Sequence, residues 1–274
     1  MSVRLKVMSS LVLRTALVGL ILSALPRLSA GEDANEILTR YIEAQKKNWE
    51  QASQYTYFEH AEFFSVDKTG QARKDRSETH EVIFVEGLAY KKLVERNEKP
   101  LDTKEQAQEQ KKMQRAAEER RQQRRSGLLH KDVSLGSDED LLALFNNAVA
   151  GEEKIRGRDA WVVECTPKPD RIPANAHERD VLSFRRTLWI DKSEYVSTKS
   201  VHTVVGQNLN LMPGTTITWE FEKISGQAWL TTSGVIEGQL RFAKFIKPRV
   251  KTVYTNSGFQ KFDVQSTITV EPPK

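Results

Sequence analysis

The stretch LWIDKSEYVSTKSVH (residues 188–202) determines which class of fold the sequence predicts. An apolar run at 188–190 meets the acid–base pair Asp191-Lys192, and a polar run typical of a strand resumes at Tyr195. A carboxylate in this position belongs either to an active site or to a turn, where it accepts hydrogen bonds from the backbone amides. Because the strand pattern resumes so soon, we predict that Asp191-Lys192 is the tight turn of a β-hairpin.

Alternation of apolar and polar residues continues through the second half of the chain. It places apolar side chains together at Trp161, Val163 and Cys165, at Ile217, Trp219 and Phe221, and at Phe262, Val264, Ile268 and Val270. One apolar face per strand is typical of antiparallel sheets. The proline-rich segment 167–180 interrupts the pattern and is predicted to be a loop.

The first half of the chain contains further strands. The aromatic run 54–66 is β-prone and is closed by the turn DKTG (67–70), where Gly70 can adopt positive φ. Two more strands are predicted within 79–95, separated at Gly87. Roughly nine to eleven strands are too many for a flat sheet, so we expect one large antiparallel sheet that curls.

Three helices are predicted among these strands. The first begins at Asp33, which has capping-box spacing with Glu36. The second runs from Ser137 to Gly151. Their apolar stripes are Ile37, Leu38, Tyr41, Ile42 and Trp49 in the first, and Leu141, Leu142, Phe145 and Val149 in the second. We predict that these two helices cover the concave face of the sheet and enclose an apolar cavity.

The third helix, about 103–125, differs in composition from the rest of the chain. It contains Met113 and a few alanines but almost no other apolar side chain. Asp102 and Glu105 can cap its start, and its arginines lie near its end, as the helix dipole favours. We therefore predict a mostly solvated, partly frayed helix. Docking of the arginines on an anionic surface is the alternative.

The first thirty residues have the pattern of a secretory signal peptide. Arg4, Lys6 and Arg14 precede the apolar run 15–25, and residues 28–30 end in a small side chain. We predict a signal peptide over 1–30, cleaved between Ala30 and Gly31, and a periplasmic mature chain over 31–274. An uncleaved N-terminal anchor is the alternative.

Loss of the signal peptide changes the charge of the protein. The whole chain has a formal net charge of +5. Four basic residues, unopposed by acids, lie in 1–30, so the mature chain is close to +1. The sequence therefore predicts no nucleic-acid partner.

The sequence contains no motif that specifies an enzyme, a metal or a cofactor. The five histidines, His60, His80, His130, His177 and His202, are scattered and lack metal-site spacing. The densest polar cluster, residues 177–180, is a weak candidate for a site. Cys165, the only cysteine, is predicted to be a small buried hydrophobe, and a nucleophilic role would need a histidine brought near by the fold.

A series of short motifs resembles LolA-like proteins, and more narrowly the bacterial outer-membrane lipoprotein-sorting proteins. In chain order these motifs are YTYFE (55–59), DKTG (67–70), VEGLAYKKL (85–93), KPL (99–101), GEEKIRGR (151–158), PKP (167–169), LWID (188–191) and WL (229–230). The likeness spans nearly the whole mature chain. It departs from the family at Thr231, where a proline is expected, and in the polar helix 103–125.

The resemblance implies a mainly β (α+β) fold. A large curled antiparallel sheet would form an open, incomplete barrel with helices over its concave face. It also implies that 31–274 is a single LolA-like domain, with the charged helix about 103–125 inserted in it, and that the cavity receives acyl chains.

We therefore interpret the protein as a non-enzymatic periplasmic carrier or sensor. Its partners would be a lipid or an acylated protein, and membrane proteins of the envelope. The residues predicted to bind the ligand are Trp161, Val163, Ile217, Trp219 and Phe221. A structural or interaction protein with a solid core is the first alternative, and a hydrolase whose site is assembled by the fold is the second.

Overall fold

The computed structural model describes residues 33–126, 138, 140–206, 210–241 and 248–262. The predicted signal peptide and its cleavage position lie outside these residues. So do Ser137 and three residues predicted to belong to a strand, Val264, Ile268 and Val270.

The described residues form four helices and eleven strands. The helices are α1 (Ala34–Ala52), α2 (Thr103–Arg125), α3 (Asp140–Leu144) and α4 (Ala176–Leu182). The strands are β1 (Tyr55–Val66), β2 (Ala72–Val85), β3 (Leu88–Arg96), β4 (Lys99–Pro100), β5 (Phe145–Ile155), β6 (Arg158–Pro167), β7 (Phe184–Asp191), β8 (Ser197–Val204), β9 (Thr216–Ile224), β10 (Ala228–Gln239) and β11 (Arg249–Lys261).

All eleven strands belong to one antiparallel sheet in the order β4-β3-β2-β1-β11-β10-β9-β8-β7-β6-β5. Among the described residues its outer strands, β4 and β5, do not pair, so the sheet is not closed into a barrel. Five strand spacings, about 24 Å in a flat sheet, separate β2 from β8. Val82 on β2 and Ser197 on β8 nevertheless line the same cavity, so the sheet is curled. The predicted open, curled sheet is confirmed.

Helix α1 lies across the concave face of this sheet. Its first half buries Ile37, Leu38 and Tyr41 against residues of β5, β6 and β7, in the main hydrophobic core of the protein. Ile42 is the last buried residue of the predicted stripe, and Trp49, in the second half, is 41% exposed.

The helix predicted over 137–151 is mostly wrong. Of the residues described in this range, only α3, which ends at Leu144, is helical, and Phe145 begins strand β5. Val149 pairs with Val163 of β6, and Gly151 lies at a bulge of the strand instead of capping a helix. The edge of β6 requires a partner for its backbone groups, and this tertiary requirement overrides the helical spacing of the apolar residues.

The proline-rich segment is also only partly a loop. Its last residues form α4, and the side chain of Asn175 caps this helix by accepting a hydrogen bond from the Glu178 amide at 2.9 Å. The asparagine cap is a sequence signal for a helix start that the prolines obscured.

Helix α2 has the predicted bounds, and Asp102 and Glu105 form the predicted capping box. The prediction that it is mostly solvated is wrong for one of its faces. Met113 and Ala117 are buried in a cluster with Ile83 and Val85. Because side chains alternate along β2, Ile83 and Val85 point away from the cavity that Val82 lines. Helix α2 therefore packs on the outer face of the sheet.

The arginines of α2 hold the helix on the hairpin between β2 and β3. The Arg120 guanidinium donates hydrogen bonds to the carbonyl oxygens of Val85, Leu88 and Ala89, each at 2.9 Å. Arg121 and Arg124 both pair with Glu86 in the hairpin turn. These three arginines thus have partners within the chain.

The turn at Asp191 is confirmed. The Asp191 carboxylate accepts hydrogen bonds from the backbone amides of Ser193 and Glu194, at 2.9 and 2.8 Å. Arg158 of β6 adds a further hydrogen bond at 2.7 Å from its Nε atom. Asp191 is 1% exposed, so the carboxylate fixes the turn from inside the fold.

The packing of α2 can be tested with two matched substitutions on the helix. We expect Met113→Asp to lower the free energy of unfolding by about 2–4 kcal/mol, because it removes a buried side chain and places a charge in the cluster. Gln110→Asp puts the same residue on the exposed side of α2 and should change it by no more than about 0.5 kcal/mol. Denaturant unfolding of both variants checks this. Equal, small effects would mean that the helix is solvated.

Candidate functional site

A cavity lies between the second half of α1 and the concave face of the sheet. It has two adjoining parts of about 300 and 310 Å³. Five residues line both parts, and they come from α1, β1, β8, β9 and β10: Gln45, Tyr57, Ser197, Phe221 and Thr231. Because they share these walls, the two parts form one candidate site, which we call the α1 cavity.

The part of the α1 cavity beside β2 and β3, which we call the outer part, is mainly apolar. Val82 and Phe84 of β2 and Leu88 of β3 form one wall, and Leu230 of β10 lies in another. Trp49 of α1 lies along the same part. Aliphatic and aromatic side chains of this kind take up apolar ligands.

The part of the α1 cavity beside β7, β8 and β11, which we call the inner part, has a mostly apolar surface, as the sequence predicts, but its lining also contains charged and polar residues. Its lining includes Tyr41, Asp138, Arg186, His202 and Asn256. Trp219 and Leu188 are among the apolar residues there. The charged residues of the cavity lining, Glu59, Asp138 and Arg186, therefore all belong to the inner part.

Beside the cavity, part of the backbone of β10 has no neighbouring strand on its β11 side. Strands β10 and β11 pair only from Ser233 to Gln239 of β10, so residues 228–232 lack a β11 partner. Asn48 of α1 fills part of this gap: its side chain accepts from the Trp229 amide at 2.7 Å and donates to the Trp229 carbonyl at 2.9 Å. Asn256 donates to the Thr231 carbonyl at 2.8 Å. Side chains thus replace the missing strand and tie α1 to the sheet.

A buried arginine and a partly buried aspartate, Arg186 and Asp138, face the inner part. Burial raises the pKa of Asp138, with Arg186 opposing the shift, and burial lowers the pKa of Arg186, with Asp138 opposing it. Burial likewise raises the pKa of Tyr41 well above its usual range, so its hydroxyl stays protonated. This hydroxyl lies 3.4 Å from an Asp138 oxygen and accepts a hydrogen bond from Gln45 at 3.1 Å.

A second ion pair lies on the β1–β3 side of the cavity. Glu59 is 6% exposed, and both of its carboxylate oxygens accept hydrogen bonds from the Lys91 ammonium at 2.7 Å. The ammonium also lies 5.9 Å from the ring centroid of Tyr254. The acid and its partner neutralise each other at the wall of the cavity.

Two nearly buried side chains of the inner part have polar atoms without a partner among the described residues. They are Nδ1 of His202 and Oδ1 of Asn256, and each residue is 9% exposed. Burial, and secondarily the charge of Arg186, lowers the pKa of His202 to about 3, so the ring is neutral near pH 7. Buried polar atoms usually have hydrogen-bond partners, which makes these two exceptions notable.

The structure separates the five residues predicted to bind the ligand. Trp219 and Phe221 line the α1 cavity. Trp161 and Val163 lie on the same face of the sheet but in the core beneath the first half of α1, where the Trp161 ring packs on Tyr195. Ile217 is buried in another cluster, with Phe184 and Val204.

Sequence reasoning missed the polar residues of the cavity. One signal was available in strand β7, where Arg186 occupies the same face as Phe184 and Leu188. A charged residue in the apolar register of a strand indicates a buried polar site. No comparable signal identifies Asn48, because its partner is the backbone of a strand distant in sequence.

The residues that could support enzymatic or metal chemistry are either buried or paired with other side chains. Burial raises the pKa of the Cys165 thiol to about 12, which leaves no reactive thiolate near pH 7. His177 pairs with Asp140 at 3.0 Å. His60, Glu62 and Glu98 are close enough to hold a cation, but the Lys74 ammonium already bonds both glutamates. None of the described helices combines the length and apolar composition needed to cross a membrane.

The buried His202 makes a specific prediction about pH. Its pKa is about 3 in the folded protein and near its ordinary value of 6.5 in the unfolded chain, so the unfolded chain binds more protons between these values. The free energy of unfolding should therefore fall as the pH falls through this window. The contribution of His202 approaches about 1.4 kcal/mol per pH unit.

Denaturant unfolding of wild type and His202→Gln at several pH values from 7 to 4 measures this contribution. The glutamine has no proton to gain, so its free energy of unfolding should fall less steeply. The other titrating groups are shared by the two proteins and cancel in the difference. Parallel curves would show that His202 is not buried as a neutral ring.

No family model matches the sequence, and no curated protein matches it. Solved structures do. One is a domain from Vibrio parahaemolyticus named for outer membrane lipoprotein sorting, with 11% identity, a TM-score of 0.42, and coverage of 86% of this chain and 97% of that one. Another is a DUF1329 family protein from Desulfovibrio piger, with 14% identity, a TM-score of 0.34, and coverage of 85% and 94%.

A third match is the LolA superfamily protein NE2245 from Nitrosomonas europaea, with 13% identity, a TM-score of 0.32, and coverage of 85% of this chain and 94% of that one. The names of the first and third matches agree with the family that the sequence motifs resemble. Identities and TM-scores this low carry no argument about function, which rests on the geometry of the α1 cavity.

Proposed function

We propose that this protein is a non-enzymatic carrier or sensor of the bacterial envelope. After export it would bind a lipid or an acylated protein with the acyl chain in the α1 cavity. One observation carries the proposal: the second half of α1 stands over an apolar hollow of the sheet instead of packing into it. Wall residues such as Phe84, Leu88 and Phe221 would contact the chain.

The two halves of α1 differ in how they pack on the sheet, and this difference supports the proposal. The first half is sealed, with Ile37 and Leu38 at most 1% exposed. In the second half Asn48 holds the helix to β10 by hydrogen bonds to its backbone, and Trp49 stays partly exposed. Such a helix can cover a bound chain without filling the space itself.

An interaction protein of the envelope is the second candidate. Strand β5 is an edge of the sheet and is mostly exposed over Ala148–Lys154, so another chain could add a strand there. The edge does not account for the α1 cavity, and we therefore place the carrier first.

The carrier proposal is tested by a charge placed in the cavity. We expect Phe221→Asp to weaken binding of a dansyl-labelled fatty acid by at least about tenfold, because the acyl chain would have to bury a carboxylate. Phe221 is half-buried at the cavity wall, so the variant should still fold. The measurement is a fluorescence titration of delipidated protein, with a thermal melt of each variant.

Val201→Asp is the matched control. Val201 is a half-buried apolar residue on the neighbouring strand, and it points away from the cavity because it lies between Ser200 and His202, which line it. This variant should bind the fatty acid as wild type does. Absence of binding by delipidated wild type, or equal loss in both variants, would contradict the carrier and favour the interaction protein.

A further inference from the structure

We infer that Gly234 of β10 sets the length of acyl chain that the α1 cavity accepts, because it leaves the space in which the Trp219 ring lies. The inference rests on the proposed function and adds to it a residue that determines specificity. A long chain would occupy both parts of the cavity, and the position of the indole ring would limit the space in the inner one.

Gly234 and Trp219 belong to a row of directly paired residues that crosses five strands. From β8 to β1 the row consists of Ser200, Trp219, Gly234, Tyr254 and Ala61. Residues paired in this way lie on the same face of a sheet. Because Ser200 and Trp219 line the α1 cavity, the whole row faces the concave side. Small and large side chains alternate along it, and the glycine lies between the two aromatic residues.

The indole ring of Trp219 occupies the place that a side chain at position 234 would need. A Cβ atom added to Gly234 would lie 3.2 Å from Cη2 of the ring and closer still to Cε3 and Cζ3. Two carbon atoms attract each other at about 3.5–4.0 Å, so any larger residue here must displace the ring. The backbone of Gly234 does not have a positive φ. The glycine is therefore required by the ring and not by a turn.

The surroundings of the ring determine where it would move. The Tyr254 ring lies on one side, with its centroid 5.5 Å from that of Trp219. The backbone of Gly234 lies beneath, and the open space next to the ring is the inner part of the cavity, which Trp219 lines. An alanine at position 234 would therefore raise the indole ring into this part, whose volume is about 310 Å³.

The position of Trp219 along β9 makes long chains more sensitive to this movement than short ones. Phe221 lies two residues away on the same face of β9 and lines both parts of the cavity, whereas Trp219 lines the inner part only. A chain that extends from one part to the other along Phe221 must pass over the indole ring. A short chain can be held in the outer part alone, away from the ring.

A series of saturated fatty acids with ten to eighteen carbons tests the inference. Each acid displaces the dansyl-labelled fatty acid from delipidated protein, below its micellar concentration. In wild type we expect the affinity to rise about fourfold with each additional buried methylene until the cavity is full. Gly234→Ala should weaken binding of the sixteen-carbon acid by about tenfold, because the raised ring takes the space of its last methylenes, and leave the ten-carbon acid within about twofold.

Substitution of the tryptophan assigns the effect to the contact between the two residues. Trp219→Leu removes the three ring atoms that an added Cβ would meet and enlarges the inner part, so the affinity should go on rising to longer chains than in wild type. The double variant Gly234→Ala/Trp219→Leu should have the profile of Trp219→Leu, because the alanine then meets no ring. A general loss of stability would instead add to the effect of the leucine.

Gly151→Ala is the matched control. Gly151 also lies in a strand, and a Cβ atom there would have no described atom within 4 Å. This variant should bind all the acids within about twofold of wild type. A thermal melt of each variant establishes that it is folded. Should Gly234→Ala fail to fold, the longer limit expected for Trp219→Leu decides.

The outcomes separate the two proposals. A wild-type profile in Gly234→Ala, equal weakening for every chain length, the same loss in the double variant, or an unchanged limit in Trp219→Leu would overturn the role of Gly234 and leave the carrier intact. Failure of the probe to bind wild-type protein at all would overturn the carrier, and this inference with it.

Discussion

The arrangement of this protein depends on how helix α1 packs against the curled sheet. Ile37, Leu38 and Tyr41 are nearly or fully buried on β5, β6 and β7, and each such side chain contributes about 1.5–3 kcal/mol. A helix of nineteen residues is about 28 Å long. Fixed along one half of the concave face, it extends over the other half, where the sheet curves around a space that the helix does not fill.

Polar contacts keep that space open. Asn48 bonds both backbone groups of Trp229 where β10 has no partner in β11, so hydrogen bonds to main chain hold the end of α1 together with the apolar contact of Ala52. Arg186, which is buried, and Asp138, which is partly buried, act on the packing of the cavity for a related reason. Packing apolar side chains against a charge without compensating bonds is unfavourable, so these two groups disfavour closer apolar packing at this place.

Much of the fold follows from local sequence signals, and the cavity does not. The Asp191 turn, the DKTG turn and the start of α1 depend on side chains that bond the nearby backbone, so a few residues suffice to predict them. Helical spacing misled at Phe145, because the edge of β6 requires a strand there. The prediction that α2 is mostly solvated is wrong at Met113 and Arg120, because their partners on β2 and β3 become adjacent only in the folded chain. The same reason explains why alternation placed Trp161 and Trp219 on one face without distinguishing core from cavity.

The central claim is that the hollow under α1 holds a ligand. Native mass spectrometry of the protein, purified without detergent from the organism that makes it, tests this most directly. The account predicts a population whose mass exceeds that of the chain by one lipid and which loses that mass on delipidation. Only the mass of the bare chain, in a preparation that also binds no added fatty acid, would contradict it.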